Sequence, residues 1–259
     1  MIFESHAHYD DPAFDDDREA LFHQMKEDGI EYVINIGASL KTTKNTIDLA
    51  EKHAFVYGAA GVHPSETGEL EEESFRWLAE QCDHPKIVAV GEIGLDYYWD
   101  TPERSIQKTW FERQIGLGIE KKLPLIIHSR DAAKDTIEIM KASEAGLAGG
   151  VVHCYSYSRE TAREFLEMGF YFGIGGVVTF QNAKKLKEAV AYIPMDRILL
   201  ETDAPYLAPA PYRGKRNSSL YLPLVAKQIA ELKGITYDEV TEITSENAMR
   251  LFRIGKEKG

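Results

Sequence analysis

Eight short apolar runs punctuate this chain, each followed by a longer stretch in which apolar residues recur with helical spacing. The runs cover residues 1–6, 32–37, 56–62, 87–92, 125–128, 150–153, 170–174 and 198–202. Most are too uniformly apolar for a sheet with one face in water, so both faces must be covered. The stretches between them, 15–28, 40–53, 71–82, 102–122, 132–144, 158–168 and 182–192, read as amphipathic helices. Strand–helix alternation of this kind signals βα units around a parallel sheet. Eight repeats in 259 residues match the count and length of a TIM-type (β/α)8 barrel. With no hydrophilic linker interrupting the series, residues 1–259 are expected to form a single domain. An additional C-terminal helical segment is expected at 220–233 and 237–252, the second opened by a capping box between Thr236 and Glu239.

The composition narrows the functional classes. Hydrophobic residues make up 44% and charged residues 28%, enough apolar material for a packed core and too much for a disordered chain. A formal net charge of −12 argues against broad adhesion to duplex nucleic acid, which needs many Lys and Arg contacts to phosphate, but leaves a local site open. The two cysteines, Cys82 and Cys154, have neither CxxC spacing nor the density of a disulfide scaffold, which fits a reducing compartment. The N-terminus lacks the pattern of a signal peptide, and no apolar window approaches a membrane span. The expected location is cytoplasmic, with no membrane association and no obligate protein partner.

The histidines are not scattered. His6 and His8 close the first run, His63 follows the third, His128 ends the fifth and His153 ends the sixth, so five of the eight histidines sit at strand ends. Glu92 after the fourth run and Asp203 after the eighth share that address. In a barrel all these ends lie on the face that carries the active site. Side chains two apart on a strand project to one face, so His6 and His8 can serve one ion, with Ala7 pointing away. A lone HxH pair is weak evidence; polar ligands gathered at many strand ends are strong evidence, because burying them without a partner is costly. Imidazoles and carboxylates suit two divalent metal ions (Mg, Mn or Zn), and six donors, His6, His8, Glu92, His128, His153 and Asp203, are too many for one catalytic ion.

Motifs along the chain carry a family resemblance. Ser-His-Ala-His at 5–8, Gly-Val-His-Pro at 61–64, Val-Gly-Glu-Ile-Gly-Leu-Asp-Tyr-Tyr at 90–98 and Ile-His-Ser-Arg-Asp-Ala at 127–132 resemble the TatD-type hydrolases. Val-His-Cys-Tyr-Ser at 152–156, Gly-Gly-Val-Val-Thr at 175–179, Glu-Thr-Asp-Ala-Pro-Tyr-Leu at 201–207 and Arg-Gly-Lys-Arg-Asn at 213–217 follow in the same order. The family is a group within the amidohydrolase superfamily that includes metal-dependent deoxyribonucleases acting from the 3′ end. The resemblance implies that activity, with His6, His8 and Asp203 at one metal, His128 and His153 at the other, and Glu92 bridging. Two departures stand out: Glu4-Ser5 where the family commonly has an aspartate, and Ser218-Ser219 where Glu-Pro is usual.

The expected chemistry is two-metal hydrolysis of a phosphodiester, with Glu92 and Asp203 catalytic and Asp203 the candidate general base. Nucleic acid, at its single-stranded ends, is the expected substrate. Its phosphates would meet His63, Arg130 and the loop residues Arg213, Lys215, Arg216 and Asn217, since guanidinium groups pair with phosphate bidentately. Tyr97, Tyr98 and Trp99 can either stack an unpaired base or pack on a neighbouring loop. Cys154 should turn from the metals toward the helices by strand alternation. Gly173, Gly175 and Gly176 form no phosphate-binding motif and are expected to let the backbone bend. The alternative is hydrolysis of a carboxylic ester or amide, including an aminoacyl ester on tRNA, at the same site; Glu92 in place of a bridging lysine and the basic loop favour phosphate.

Overall fold

The computed structural model describes residues 1–255. Eight strands, β1 (Ile2–Ala7), β2 (Ile30–Ile36), β3 (Val56–Ala60), β4 (Ile87–Asp96), β5 (Leu125–Arg130), β6 (Gly150–Val152), β7 (Tyr171–Ile174) and β8 (Ile198–Leu200), belong to one sheet in chain order. Helices follow the strands: α1 (Arg18–Glu27), α2 (Leu40–Lys52), α3 (Glu72–Gln81), α4 (Arg104–Lys121), α5 (Ala133–Ala142), α6 (Arg159–Glu167), α7 (Lys184–Tyr192), α8 (Leu222–Lys233) and α9 (Tyr237–Phe252). The topology is that of the TIM-type (β/α)8 barrel expected from the apolar runs. The C-terminal helices fall where they were expected, and the Thr236–Glu239 capping box forms in both directions. No helix among the described residues is long and apolar enough to cross a membrane.

The chain groups into two compact units. The first takes residues 1–35, 154–163 and those from Tyr171 on. Within it β1 pairs in parallel with β2, from Ile2 opposite Ile30 to Ala7 opposite Asn35. β7 pairs with β8, and the chain after β8 returns to β1 through a parallel bridge between Ala7 and Ala204. Here α9 covers β1, with the Phe252 ring stacked 6.0 Å from that of buried Phe3. Truncating Phe3 to alanine would cost about 3–5 kcal/mol at such a site.

The second unit takes residues 36–153 and 164–170 and contains the parallel ladders of β3 through β6. Leu125, Ile126 and Ile127 on β5 are all fully buried, so both faces of this strand are covered and its sequence shows no alternation. β4 is the one strand much longer than expected. Polar Glu92 reads as its end, yet the ladder continues past it, with Ile93 opposite Ile127 and Asp96 opposite Arg130. Gly94 permits this: at φ +148 it lies so close to His128 that a Cβ would sit 1.8 Å from the His128 carbonyl oxygen. Two buried glutamines of α4 fasten the strand ends. Gln114 exchanges hydrogen bonds with the backbone of Val62, just before His63, and Gln107 does the same with Asp96.

Candidate metal centre

In the first unit the end of β1 and the chain after β8 bring His6, His8 and Asp203 together. Period-two projection puts both imidazoles on one side of β1, with ring centroids 5.2 Å apart. Asp203 adopts a left-handed conformation, φ 58, which aspartate tolerates better than most residues. Its N–H donates to the His6 carbonyl, and its Oδ1 lies 3.5 Å from His6 Nε2 and 3.4 Å from His8 Nε2. These separations exceed ordinary hydrogen bonds. They match the roughly 3.4 Å between donors that share a tetrahedral ion at about 2.1 Å bond lengths. The donor set therefore fits a divalent cation of the zinc type, and its three donor atoms lie within 4.8 Å of one another.

Beneath this cluster lies the carboxylate of Glu4, which stands where the family commonly has an aspartate. Glu4 is fully buried and accepts from the backbone N–H of His6 and of Thr202, from Thr202 Oγ1 at 2.7 Å and from Ser219 Oγ at 2.7 Å. Burial pushes its carboxyl up to about 7 against those hydrogen bonds. The two departures from the family pattern, Glu4 and Ser219, thus touch each other. Tyr9 completes the network, its hydroxyl paired with Ser219 Oγ and accepting from the Ser219 N–H. A further carboxylate, buried Glu201, accepts the Cys154 N–H, and it fills the space that a side chain at Gly173 would need. The bend expected at Gly173 is in fact clearance for this carboxylate. Cys154 does not obey strand alternation: β6 ends at Val152, and Cys154 is left-handed at φ 45.

In the second unit Glu92, His128 and His153 form a tight triangle. Glu92 Oε1 lies 2.8 Å from His128 Nδ1 and 2.7 Å from His153 Nε2, and the two nitrogens are 3.1 Å apart. Those edges are close to the roughly 3.0 Å face of an octahedral site. His128 is anchored from behind: its Nε2 faces Asp96 Oδ2 at 3.0 Å. Burial would lower the His128 imidazolium, but hydrogen bonds to Asp96 and Glu92 outweigh it and push the group up to about 9. Donating Nε2–H to a carboxylate leaves Nδ1 free to bind a metal, the usual arrangement behind histidine ligands.

His63 stands beside this triangle, with Nε2 3.8 Å from Glu92 Oε1. Its Nδ1 accepts from the Ser65 N–H, so the neutral ring carries its proton on Nε2. Burial, followed by the nearby charge of His128, lowers its pKa to about 3. His63 thus stands as a neutral imidazole beside the triangle, and it also forms a candidate donor group with Glu92 and His128.

The expected phosphate contacts divide. Arg130 is exposed, with its guanidinium 3.8 Å over the Tyr98 ring. Arg213 is exposed 4.5 Å over Phe180, and Lys215 is exposed. Two expectations need correction. Arg216 is spent on the fold: it forms a bidentate pair with Asp17, donates to the Ala13 carbonyl and covers the Phe14 ring. Asn217 is fully buried, donating to the Thr202 and Tyr206 carbonyls and accepting the Ser218 N–H. Both hold the loop after β8 in place instead of facing a ligand. The aromatic run divides as well: Tyr97 donates to Asp135 and lies under Arg104, whereas Tyr98 and Trp99 are exposed.

Sequence reasoning missed Glu4, Asp96 and Glu201 as parts of the two centres. The signal was parity. Glu4 shares a strand face with His6, and Asp96 with Glu92; Glu201 lies past the end of β8 and has no such signal.

The family model described as TatD related DNase matches residues 3–253. The metal-dependent hydrolase YabD of Bacillus subtilis is 46% identical over 98% of this chain and 100% of its own length. A protein of Erwinia amylovora named 3'-5' ssDNA/RNA exonuclease TatD is 34% identical, over 92% of this chain and 95% of its own. Among solved structures, the TatD homologue YjjV of Escherichia coli superposes with a TM-score of 0.92 at 30% identity, covering 98% of both chains. With the family model running almost end to end and a relative of 46% identity aligned over 98% of it, this chain belongs to the TatD-related DNase family of metal-dependent hydrolases.

Proposed function

We propose that the protein is a phosphodiesterase that removes nucleotides from the 3′ end of single-stranded DNA, with one divalent ion at each cluster. The observation that carries the reading is the donor spacing of His6, His8 and Asp203, which suits a cation better than hydrogen bonding. The name of the Erwinia amylovora relative supports the substrate class. Bound divalent ions supply Lewis acidity and a water acidic enough to deprotonate near neutral pH. Histidine-rich donors favour zinc or manganese over magnesium.

The chain's own residues take the remaining roles. Glu92, His128 and His153 hold one ion; His6, His8 and Asp203 hold the other. Asp203 accepts the proton of the attacking water. His63 keeps its Nε2–H at every working pH above its lowered pKa and donates it to a phosphate oxygen. Arg130 supplies a guanidinium for the phosphate charge.

The test incubates metal-reconstituted protein with end-labelled single-stranded DNA, RNA and aminoacyl-tRNA in parallel, with chelator and His128→Ala controls. Stepwise loss of 3′ nucleotides from DNA, abolished by both controls, supports the reading. Ester hydrolysis with intact DNA, or cleavage that survives His128→Ala, overturns it.

A further inference from the structure

Past Asp96 the chain turns over a surface that neither cluster uses. Tyr98 is 56% exposed and Trp99 64%, their ring centroids 5.2 Å apart and their planes at 86°. Large aromatic side chains this open are costly to leave in water, and here two adjoin on one short turn. Their backbone is not loose. Asp96 Oδ1 accepts the N–H of Tyr98 and the N–H of Trp99, each at 2.9 Å, while Oδ2 of the same carboxylate faces His128. The aromatic pair is thereby tied to a proposed metal ligand by a single side chain.

Arg130 completes the surface. It lies opposite Asp96 in the β4–β5 ladder, two residues beyond His128 on β5. Its guanidinium stacks on Tyr98 and makes no ion pair or hydrogen bond among the described residues, so its N–H edges face outward unpaired. An aromatic face for a base and a guanidinium edge for a phosphate, side by side, match one nucleotide of an unpaired strand. A base inside a duplex is already stacked and offers no such face.

We propose that Tyr98, Trp99 and Arg130 form a docking platform for the terminal nucleotide of a single strand, one ring of the aromatic pair stacking on the base and the other meeting its edge, with Arg130 binding its phosphate. The substrate class rests on the reading of the protein as a single-strand phosphodiesterase. The platform adds a preference for strands whose last nucleotide carries a base.

The experiment measures binding of the metal-loaded protein to a fluorescein-labelled single-stranded 12-mer with a phosphorothioate terminal linkage that resists hydrolysis. One form carries the terminal base and the other is abasic at that nucleotide. The wild-type protein should prefer the base-bearing form by about 5- to 150-fold, the range spanned by base–aromatic stacking. The preference should disappear in a Tyr98→Ala/Trp99→Ala variant and persist in Trp99→Phe and in Leu147→Ala, which alters an exposed apolar residue on a different turn. Undiminished preference in the double variant overturns the platform. So does a dilution-dependent dimer lost in Trp99→Ala with unchanged oligonucleotide affinity, which would make the patch a self-association surface. Cleavage of an unmodified strand is followed alongside. Cleavage without base preference defeats the platform alone, whereas base preference without cleavage defeats the phosphodiesterase reading and leaves the platform standing.

Discussion

Glu4 and Ser219, 215 positions apart, meet in a buried hydrogen bond of 2.7 Å beneath the His6–His8–Asp203 cluster. One carboxylate thereby links the backbone of His6 on β1, the backbone and hydroxyl of Thr202 next to Asp203, and the loop that closes over both. Glutamate has one methylene more than aspartate, and serine offers a hydroxyl that proline lacks. The two departures from the family pattern are therefore joined in one structural feature.

Removing the Ser219 hydroxyl strips a donor from a buried acceptor and leaves Tyr9 without its side-chain partner. Ser219→Ala should cost about 1–3 kcal/mol, and Glu4→Ala, which orphans donors on His6, Thr202 and Ser219 together, about 3–5 kcal/mol. Because both act on one network, the double variant should cost less than the two single costs combined. Urea unfolding of the four proteins measures this, and strict additivity would show that the two residues are not coupled.

Asp96 controls which nitrogen of His128 carries the proton. In Asp96→Asn the amide oxygen can still cap Tyr98 and Trp99, but its NH2 then faces His128 Nε2 and needs a lone pair there. The neutral ring must move its proton to Nδ1, where it blocks metal binding. Affinity for zinc or manganese at this cluster should fall about 10- to 100-fold, the usual cost of losing such a partner. Titration calorimetry reads the loss directly, and a thermal scan of the metal-free protein separates it from misfolding.

These cases show which parts of the molecule the sequence could express. Strand order, helix positions and the gathering of the six candidate donors into two clusters were legible because they depend on local periodicity and on residue types that are costly to bury unpaired. β4 was read too short because polar Glu92 resembles a strand end, and only the partner strand shows that pairing continues to Asp96. Arg216 and Asn217 looked like phosphate contacts because a basic loop has no visible partner in one dimension. Asp17, Phe14 and Thr202 supply those partners only through the fold. Glu4 stood outside the motif logic for the opposite reason: a buried carboxylate is recognisable only once its donors have been placed.

The two cysteines should differ in reactivity. Burial raises the Cys82 thiol to about 12, above the usual 9. For an acid shifted upward on folding, the native state favours the protonated form. That stability is fully present below pH 9 and is lost as pH rises toward 12. At pH 8 Cys82 should stay a thiol and react with Ellman's reagent only on unfolding, whereas half-buried Cys154 reacts in the native state. One fast thiol per chain, absent in Cys154→Ser, is the expected outcome, and rapid labelling of that variant would contradict it.

The loop after β8 separates structural from electrostatic roles within three neighbouring residues. Asn217→Ala removes two donors to buried carbonyls and the acceptor of the Ser218 N–H, so it should destabilise the protein by about 2–4 kcal/mol. Arg216→Ala loses packing over Phe14 together with its pair to exposed Asp17; the packing loss should dominate, because solvent-exposed ion pairs contribute little. Lys215 is exposed and its side chain is free of such bonds, so Lys215→Ala should leave the unfolding midpoint unchanged. Its effect should appear in nucleic-acid binding, as a weakening shared by all sequences and a slope of log affinity against log salt shallower by about one. A Lys215→Ala protein with an unaltered salt slope would remove this residue from the phosphate path while leaving the assignment of Asn217 intact.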